Sequence, residues 1–173
     1  MPHDSPEPLA NYVVTIIYHD ENLCCDVITR RLVIGVLRML RKTPIDCHGE
    51  KQTSVETVTF GSEYSSARTC IEHVLELRVT CRHLGVPLQK ISYVLGCNDS
   101  VVNSSITPHG KTHKSHVALS FYRVRKATSA KIITYYFING KINPADILSK
   151  HWARHSVWKI LNPLLFLKGD TME

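Results

Sequence analysis

The segment Asn11–Tyr18, NYVVTIIY, constrains this chain more than any other. Its β-branched and aromatic residues fall on both parities of a two-residue alternation, so an extended strand here carries apolar side chains on both faces. Such a strand belongs inside a sheet that is covered on both sides. The polar run His19-Asp20-Glu21-Asn22 is expected to end it. The next apolar run, Leu32–Leu40, contains Leu and Met that would also suit a helix, but Gly35 in its middle favours a strand with a bend or bulge. Thr43-Pro44 is expected to turn the chain into a short third strand, Ile45–His48, completing an antiparallel meander.

A change of period follows. Ala67, Cys70, Ile71, Val74, Leu77, Cys81 and Leu84 recur at steps of three and four, the spacing of one helix face. Ser62 is placed to cap this helix, and Gly85 with Pro87 to stop it. Ser92–Gly96 reads as a fourth strand, with caps at Asn98, Asp99 and Ser100 for a short helix through Val101 and Val102. A polar loop, Ser104–Lys114, leads to a helix over Ser115–Ala130 and a fifth strand over Lys131–Ile138. Asn139-Gly140 is a turn, and Asn143-Pro144 pairs a capping side chain with a proline at a first helical position. The order is β-β-β-α-β-α-α-β-α, an α/β protein.

With 173 residues the chain suits one domain, and 43% hydrophobic content allows a packed core. No apolar run approaches the roughly 20 residues of a membrane span. Met1–Pro8 is acidic and proline-rich, without the basic start and apolar stretch of a secretory signal, so an intracellular location in cytoplasm or nucleus is expected. The six cysteines include an adjacent pair, Cys24 and Cys25, and no CxxC, which favours reduced thiols over disulfides. A formal charge of +6 favours a polyanionic partner. His109, Lys111, His113, Lys114 and His116, followed by Arg123, Arg125 and Lys126, would supply a basic face, with Lys111, Lys114, Arg123 and Arg125 the candidate phosphate contacts.

Acids stand at the joints of these elements: Asp20 at the end of the first strand, Glu63 in the first turn of the long helix, Asp146 in the first turn of the late one. Carboxylates converging from adjoining elements are what two-metal phosphodiester hydrolysis requires, because two divalent ions roughly 4 Å apart need hard oxygen ligands. Singly, Glu63 and Asp146 read more simply as dipole-favoured surface acids and Asp20 as a polar strand end.

The wording around them is more specific. YHDENL (Tyr18–Leu23), KTPID (Lys42–Asp46), KQTSVETVTFGSEYSSAR (Lys51–Arg68), LGVPL (Leu84–Leu88), NDSVVNSS (Asn98–Ser105), HKSHVALSFYRVRKA (His113–Ala127) and NPADILSKHW (Asn143–Trp152) follow one another through nearly all of Asn11–Trp152. In order and spacing they resemble the ribonuclease H domain of copia-type (Ty/copia) LTR retrotransposon Pol polyproteins. The resemblance implies a ribonuclease H-like fold, a mixed five-stranded sheet flanked by helices, over residues 11–152. Residues 1–10 are then expected as a disordered N-terminus and 153–173 as a C-terminal amphipathic helix or hook. It also implies magnesium-dependent cleavage of the RNA strand of RNA–DNA hybrids, and a reverse transcriptase domain as partner in the parent polyprotein. An isolated 173-residue chain is on this basis expected to be a truncated product.

Three of the family's four acids carry over, as Asp20, Glu63 and Asp146, which the resemblance makes catalytic and metal-binding. The third belongs to a Gly-Asp-Asn phrase that here reads Gly96-Cys97-Asn98. A thiol is protonated near neutral pH and, even as thiolate, is a soft ligand poorly matched to magnesium. Asp99 is expected in the capping turn, pointing elsewhere. The family's usual His and Glu are replaced by Tyr122 and Lys126, no histidine stands in the loop before Asp146, and Arg30-Arg31 replaces a glycine turn. The expectation is therefore an impaired nuclease. A non-catalytic nucleic-acid-binding remnant and a structural fragment of a reverse transcriptase stand as alternatives.

Overall fold

The computed structural model describes residues 11–22, 32–52, 59–107 and 117–164. Its sheet has five strands in the order β3-β2-β1-β4-β5. These are β1 (Thr15–Asn22), β2 (Val33–Leu40), β3 (Thr43–Lys51), β4 (Ser92–Gly96) and β5 (Ile133–Phe137). The first three pair antiparallel as the expected meander, and β4 and β5 add parallel to β1. The helices are α1 (Thr59–His83), α2 (Asp99–Ile106), α3 (Ala118–Ser129), α4 (Asp146–Ser149) and α5 (Arg154–Leu161). A 3-10 turn at Gly140–Ile142 precedes α4, and another, Asn162–Leu164, follows α5. The mixed five-stranded sheet with helices on its faces is the architecture expected from the sequence. No helix among the described residues is long and apolar enough to cross a membrane.

One face of the sheet holds the main core. Ile17, Ile34, Val36, Val94, Ile133 and Tyr135 pack there against Tyr64, Cys70, Ile71 and Val74 of α1 and Phe121 and Val124 of α3. The other face is covered more thinly: Leu37 and Met39 meet Ala145, with Ile16, Tyr18, Leu148 and Leu164 half-buried around them. The central strand is thus covered on both sides, as its apolar residues at both parities require.

Several boundaries differ from the sequence reading, each for a physical reason. β1 begins at Thr15 and runs through the polar HDEN segment instead of ending before it. Eight consecutive pairs with β2, from Thr15↔Leu40 to Asn22↔Val33, satisfy its backbone, and its polar side chains find partners inside the protein. The β2–β3 turn is at Arg41-Lys42, where Arg41 takes a φ of 56°, so Thr43 and Pro44 already lie in a third strand of nine residues. α1 starts by Thr59, so Ser62 is inside the helix and Glu63 lies beyond its first turn. α2 extends to Ile106, with Asn98 as its cap. Cys24, Cys25, Arg30, Arg31, residues 1–10 and most of the 104–114 loop lie outside the described residues.

Gly35 is neither a bend nor a bulge; the register shift in this pair falls between Arg38 and Met39. It permits a close approach. A Cβ at Gly35 would come within 2.7 Å of the Ala145 carbonyl oxygen and 2.8 Å of Leu148 Cβ. Gly35 is also the register partner of Asp20. The missing side chain therefore lets α4 sit down on the β1–β2 pair beside that acid. Gly35→Ala is expected to cost about 1–3 kcal/mol of stability through overpacking against backbone. Chemical denaturation checks this, and unchanged stability would show that α4 is not seated on Gly35.

Candidate functional site

Asp20 lies in the second half of β1, with its side chain fully buried. Its neighbour His19 is equally buried and joins three elements: Nδ1 is 3.0 Å from Ser66 Oγ on α1, and Nε2 is 2.6 Å from Tyr135 Oη on β5. Ser66 in turn donates weakly, at 3.5 Å, to the Asp20 carbonyl. A consistent assignment has the Tyr135 hydroxyl donating to Nε2 and Nδ1–H donating to Ser66. Burial lowers the His19 imidazolium to about 4, against the pull of Asp20, so the ring is neutral near pH 7. Gly96 is shaped by this pair. A Cβ there would stand 2.5 Å from His19 Nε2 and 2.7 Å from Tyr135 Oη.

The next residue after Gly96 is Cys97, delivered to the end of β4 beside β1. Its Sγ–H donates to Asp20 Oδ1 at 3.1 Å and points toward Glu63 Oε1 at 3.7 Å. Glu63 comes from the N-terminal part of α1 and is almost completely buried. Its Oε2 has no hydrogen-bond partner among the described residues. Asp146 arrives from the far side at the start of α4. Asn143 anchors that approach: its Nδ2 donates to the His19 carbonyl at 2.9 Å, and its Oδ1 accepts from the Ala145 N–H at 3.1 Å. Trp152 Nε1 donates to the Asp146 carbonyl at 3.1 Å. Ser149 Oγ donates to Asp20 Oδ2. Lys150 Nζ bridges two acids, bonded to Asp146 Oδ1 and 3.3 Å from Asp20 Oδ2.

The fold therefore brings together Asp20, Glu63, Asp146 and Cys97, which are spread over more than 120 positions of sequence. Asp99 is excluded from the group. It is exposed and accepts from Asn103 Nδ2 at 2.8 Å along its own helix. On the basic side, Arg123 is held by Glu72 through two bonds of 2.9 and 3.0 Å, and Arg125 lies 5.3 Å over the Phe121 ring. Glu72 is nine residues beyond Glu63, about 13 Å along the helix at ~1.5 Å per residue. Lys111 and Lys114 lie outside the described residues. Lys150, Ser149, Asn143 and the His19–Tyr135 pair were not singled out as site residues from the sequence. Only Lys150 carried a local signal, its position four residues after Asp146.

Burial, reinforced by neighbouring like charges, sets the titration of the cluster. Burial, then the charges of Glu21 and Asp20, raise the Glu63 carboxyl to about 8. Burial, then Glu63 and Asp20, push the Cys97 thiol far up, so it is a neutral donor. Burial raises Asp146 as well, with Lys150 opposing. For Lys150 itself, burial disfavours the ammonium, but Asp146 and Asp20 outweigh it and raise its pKa.

Magnesium is the metal implied by the resemblance. Three carboxylates, one with a buried oxygen that has no partner among the described residues, are suitable hard donors. The other two groups are not: a protonated thiol stands at the third position and an ammonium already lies between Asp20 and Asp146. No group of three or more His, Cys, Asp or Glu among the described residues is arranged to hold a metal ion. As it stands, the donor set does not fit a pair of magnesium ions.

The Glu63 shift carries a prediction. Between about pH 4.5 and 8 the unfolded chain has this carboxyl ionised while the folded chain keeps it protonated, so stability falls as pH rises through that window. In EDTA, Glu63→Gln should flatten this part of the stability–pH curve and exceed the wild-type chain in stability at pH 8. Parallel curves for the two proteins would show that Glu63 is not buried among charges.

No family model matches the chain, and no curated protein matches its sequence. Solved structures do match. The RNase H1 of the halophilic archaeon Halobacterium salinarum NRC-1 aligns with a TM-score of 0.56 at 13% identity, covering 78% of this chain and 93% of that one. LC11-RNase H1, solved in complex with an RNA/DNA hybrid, aligns at 0.59 and 16%, covering 78% and 93%. The prototype foamy virus protease-reverse transcriptase aligns at 0.53 and 10%, covering 94% of this chain but 22% of that larger one. At such identities what is shared is the architecture, and this chain has the ribonuclease H fold.

Proposed function

We propose that the chain is a ribonuclease H-type domain of copia-type retrotransposon origin, directed at RNA–DNA hybrids, in which phosphodiester hydrolysis is impaired by Cys97. The observation that carries this reading is the convergence of Asp20, Glu63 and Asp146 on one spot, with the Cys97 thiol inside hydrogen-bond reach of Asp20. Three acids brought together from β1, α1 and α4 are not explained by surface solvation, since two have buried side chains and Asp20 is wholly enclosed. The order of sequence phrases supports the retrotransposon origin. The likeness to a viral protease-reverse transcriptase and to an enzyme solved with a hybrid supports a reverse transcriptase as ancestral partner and a hybrid as ligand. Magnesium is the ion the resemblance implies, with Asp20, Glu63 and Asp146 as its hard donors, although the set as it stands, with the Cys97 thiol and the Lys150 ammonium among them, does not fit a pair of such ions. The basic candidates for hybrid phosphates are Lys111, Lys114, Arg123 and Arg125, of which Arg123 would have to exchange its two bonds to Glu72 for a phosphate.

Losing a carboxylate that holds a divalent ion removes several kcal/mol of transition-state stabilisation. Cleavage of a labelled RNA–DNA hybrid in magnesium should accordingly be very slow for the chain as it is and rise by about two to four decades in Cys97→Asp. Ready cleavage by the unmodified chain would remove the claim of impairment. Salt-sensitive hybrid binding with no cleavage by either form would replace the reading with a non-catalytic binding module, and no binding even at low salt would favour a structural fragment.

A further inference from the structure

Every oxygen of Asp20 is already served from within the chain. Oδ1 accepts the Cys97 thiol at 3.1 Å, and Oδ2 accepts Ser149 Oγ and faces Lys150 Nζ at 3.3 Å. The same ammonium is bonded to Asp146 Oδ1. The side chains of Asp20 and Asp146 are 0% and 4% exposed, whereas that of Lys150 is 40% exposed. A carboxylate taken wholly out of water needs a counter-charge nearby, or it neutralises itself by protonation. Lys150 supplies that charge to two acids from two different elements, β1 and α4. Asn143 and Trp152 hold the α4 backbone in place for it. An ion bridging Asp20 and Asp146 would have to occupy the space that Nζ now fills.

We propose that Lys150 is the resident counter-ion of the acidic cluster, standing where a divalent cation would bridge Asp20 and Asp146. The native chain therefore folds without metal and takes up divalent cations only by displacing its own ammonium. The inference rests on the ribonuclease H-type reading only in the choice of a divalent cation as competitor. The stem of Lys150 is partly exposed at the rim, so displacement requires only that the ammonium swing into solvent, and the two acids need not move.

The test uses Mn2+, which takes the same oxygen ligands as magnesium and whose free form is counted by electron paramagnetic resonance. The full chain is titrated as wild type, Lys150→Met, Lys150→Gln, and Lys150→Met combined with Asp146→Asn. Removing the ammonium should tighten Mn2+ binding by about tenfold or more in both single variants, and the gain should vanish when Asp146 is also neutralised. Both single variants should also melt lower than the wild type in EDTA and recover on adding Mn2+, a coupling that a surface ion pair would not produce. If one single variant fails to fold, the other carries the comparison. Equal Mn2+ affinity in wild type and variants, or a gain that survives Asp146→Asn, would overturn the proposal. Failure of the nuclease reading is separately visible: a Lys150 effect on Mn2+ without hybrid cleavage by Cys97→Asp leaves the counter-ion standing and removes only the ancestral chemistry.

Discussion

Enclosing Asp20 is the constraint on which the rest of this structure turns. A strand at the centre of a covered sheet has little room for ionised groups, yet β1 carries His19, Asp20 and Glu21 in succession, all buried. Strand alternation divides the burden between the two faces. His19 turns toward α1 and β5, where Ser66 and Tyr135 satisfy both ring nitrogens without a charge. Asp20 turns toward α4, where Ser149 and Lys150 meet it. Two glycines make these arrangements fit: Gly96 clears space for the His19–Tyr135 pair, and Gly35 lets α4 descend onto β1 and β2. The positions of Cys97 and Asp146 follow from those two clearances.

The parts of this arrangement that obey a local period could be read along the chain. Ser92–Gly96 is a strand with the expected bounds, and the apolar steps from Ala67 to Cys81 do line one face of α1. Asp20, Glu63 and Asp146 were marked as one site by the order of phrases around them and not by any local period: Asp20 lies within β1 and Glu63 beyond the first turn of α1. What escaped is what depends on partners far away in sequence. HDEN looked like a strand end because polar residues in a strand are unfavourable unless paired, and the pairing residues lie at Ser66, Tyr135, Ser149 and Lys150, between 47 and 130 positions off. Gly35 looked like a bend because a glycine in a strand has two meanings, and only the position of α4 separates them. Lys150 stands four residues after Asp146, a spacing that brings it only one of its two carboxylates; the other, Asp20, belongs to another element.

A cluster of acids can be held in a fold by metal ions, by protonation, or by internal cations. Protonation and an internal cation are both in place at this site. Glu63 is pushed to about 8 and so carries a proton near neutral pH, Cys97 contributes a neutral donor in place of a further negative charge, and Lys150 balances Asp20 and Asp146. A carboxylate at position 97 would add a fourth like charge within hydrogen-bond distance of Asp20 and near Glu63. It would raise the cost of the metal-free fold and, by the same repulsion, the attraction for a divalent ion.

On the proposed reading, a thiol in place of a carboxylate at position 97 acts on stability and on chemistry in opposite directions. Sites that perform hydrolysis with bound ions keep a local conflict of charges that only the ions resolve, and a fold bears that conflict as a cost. Exchanging one carboxylate for a thiol that donates to Asp20 relieves the conflict without disturbing Gly96 or the His19–Tyr135 pair behind it. On the proposed reading, the ribonuclease H architecture can therefore persist where the hydrolytic chemistry is weakened. The framework that positions the site is held by neutral hydrogen bonds and close packing, whereas the proposed hydrolysis would depend on a charge that the framework is easier to build without.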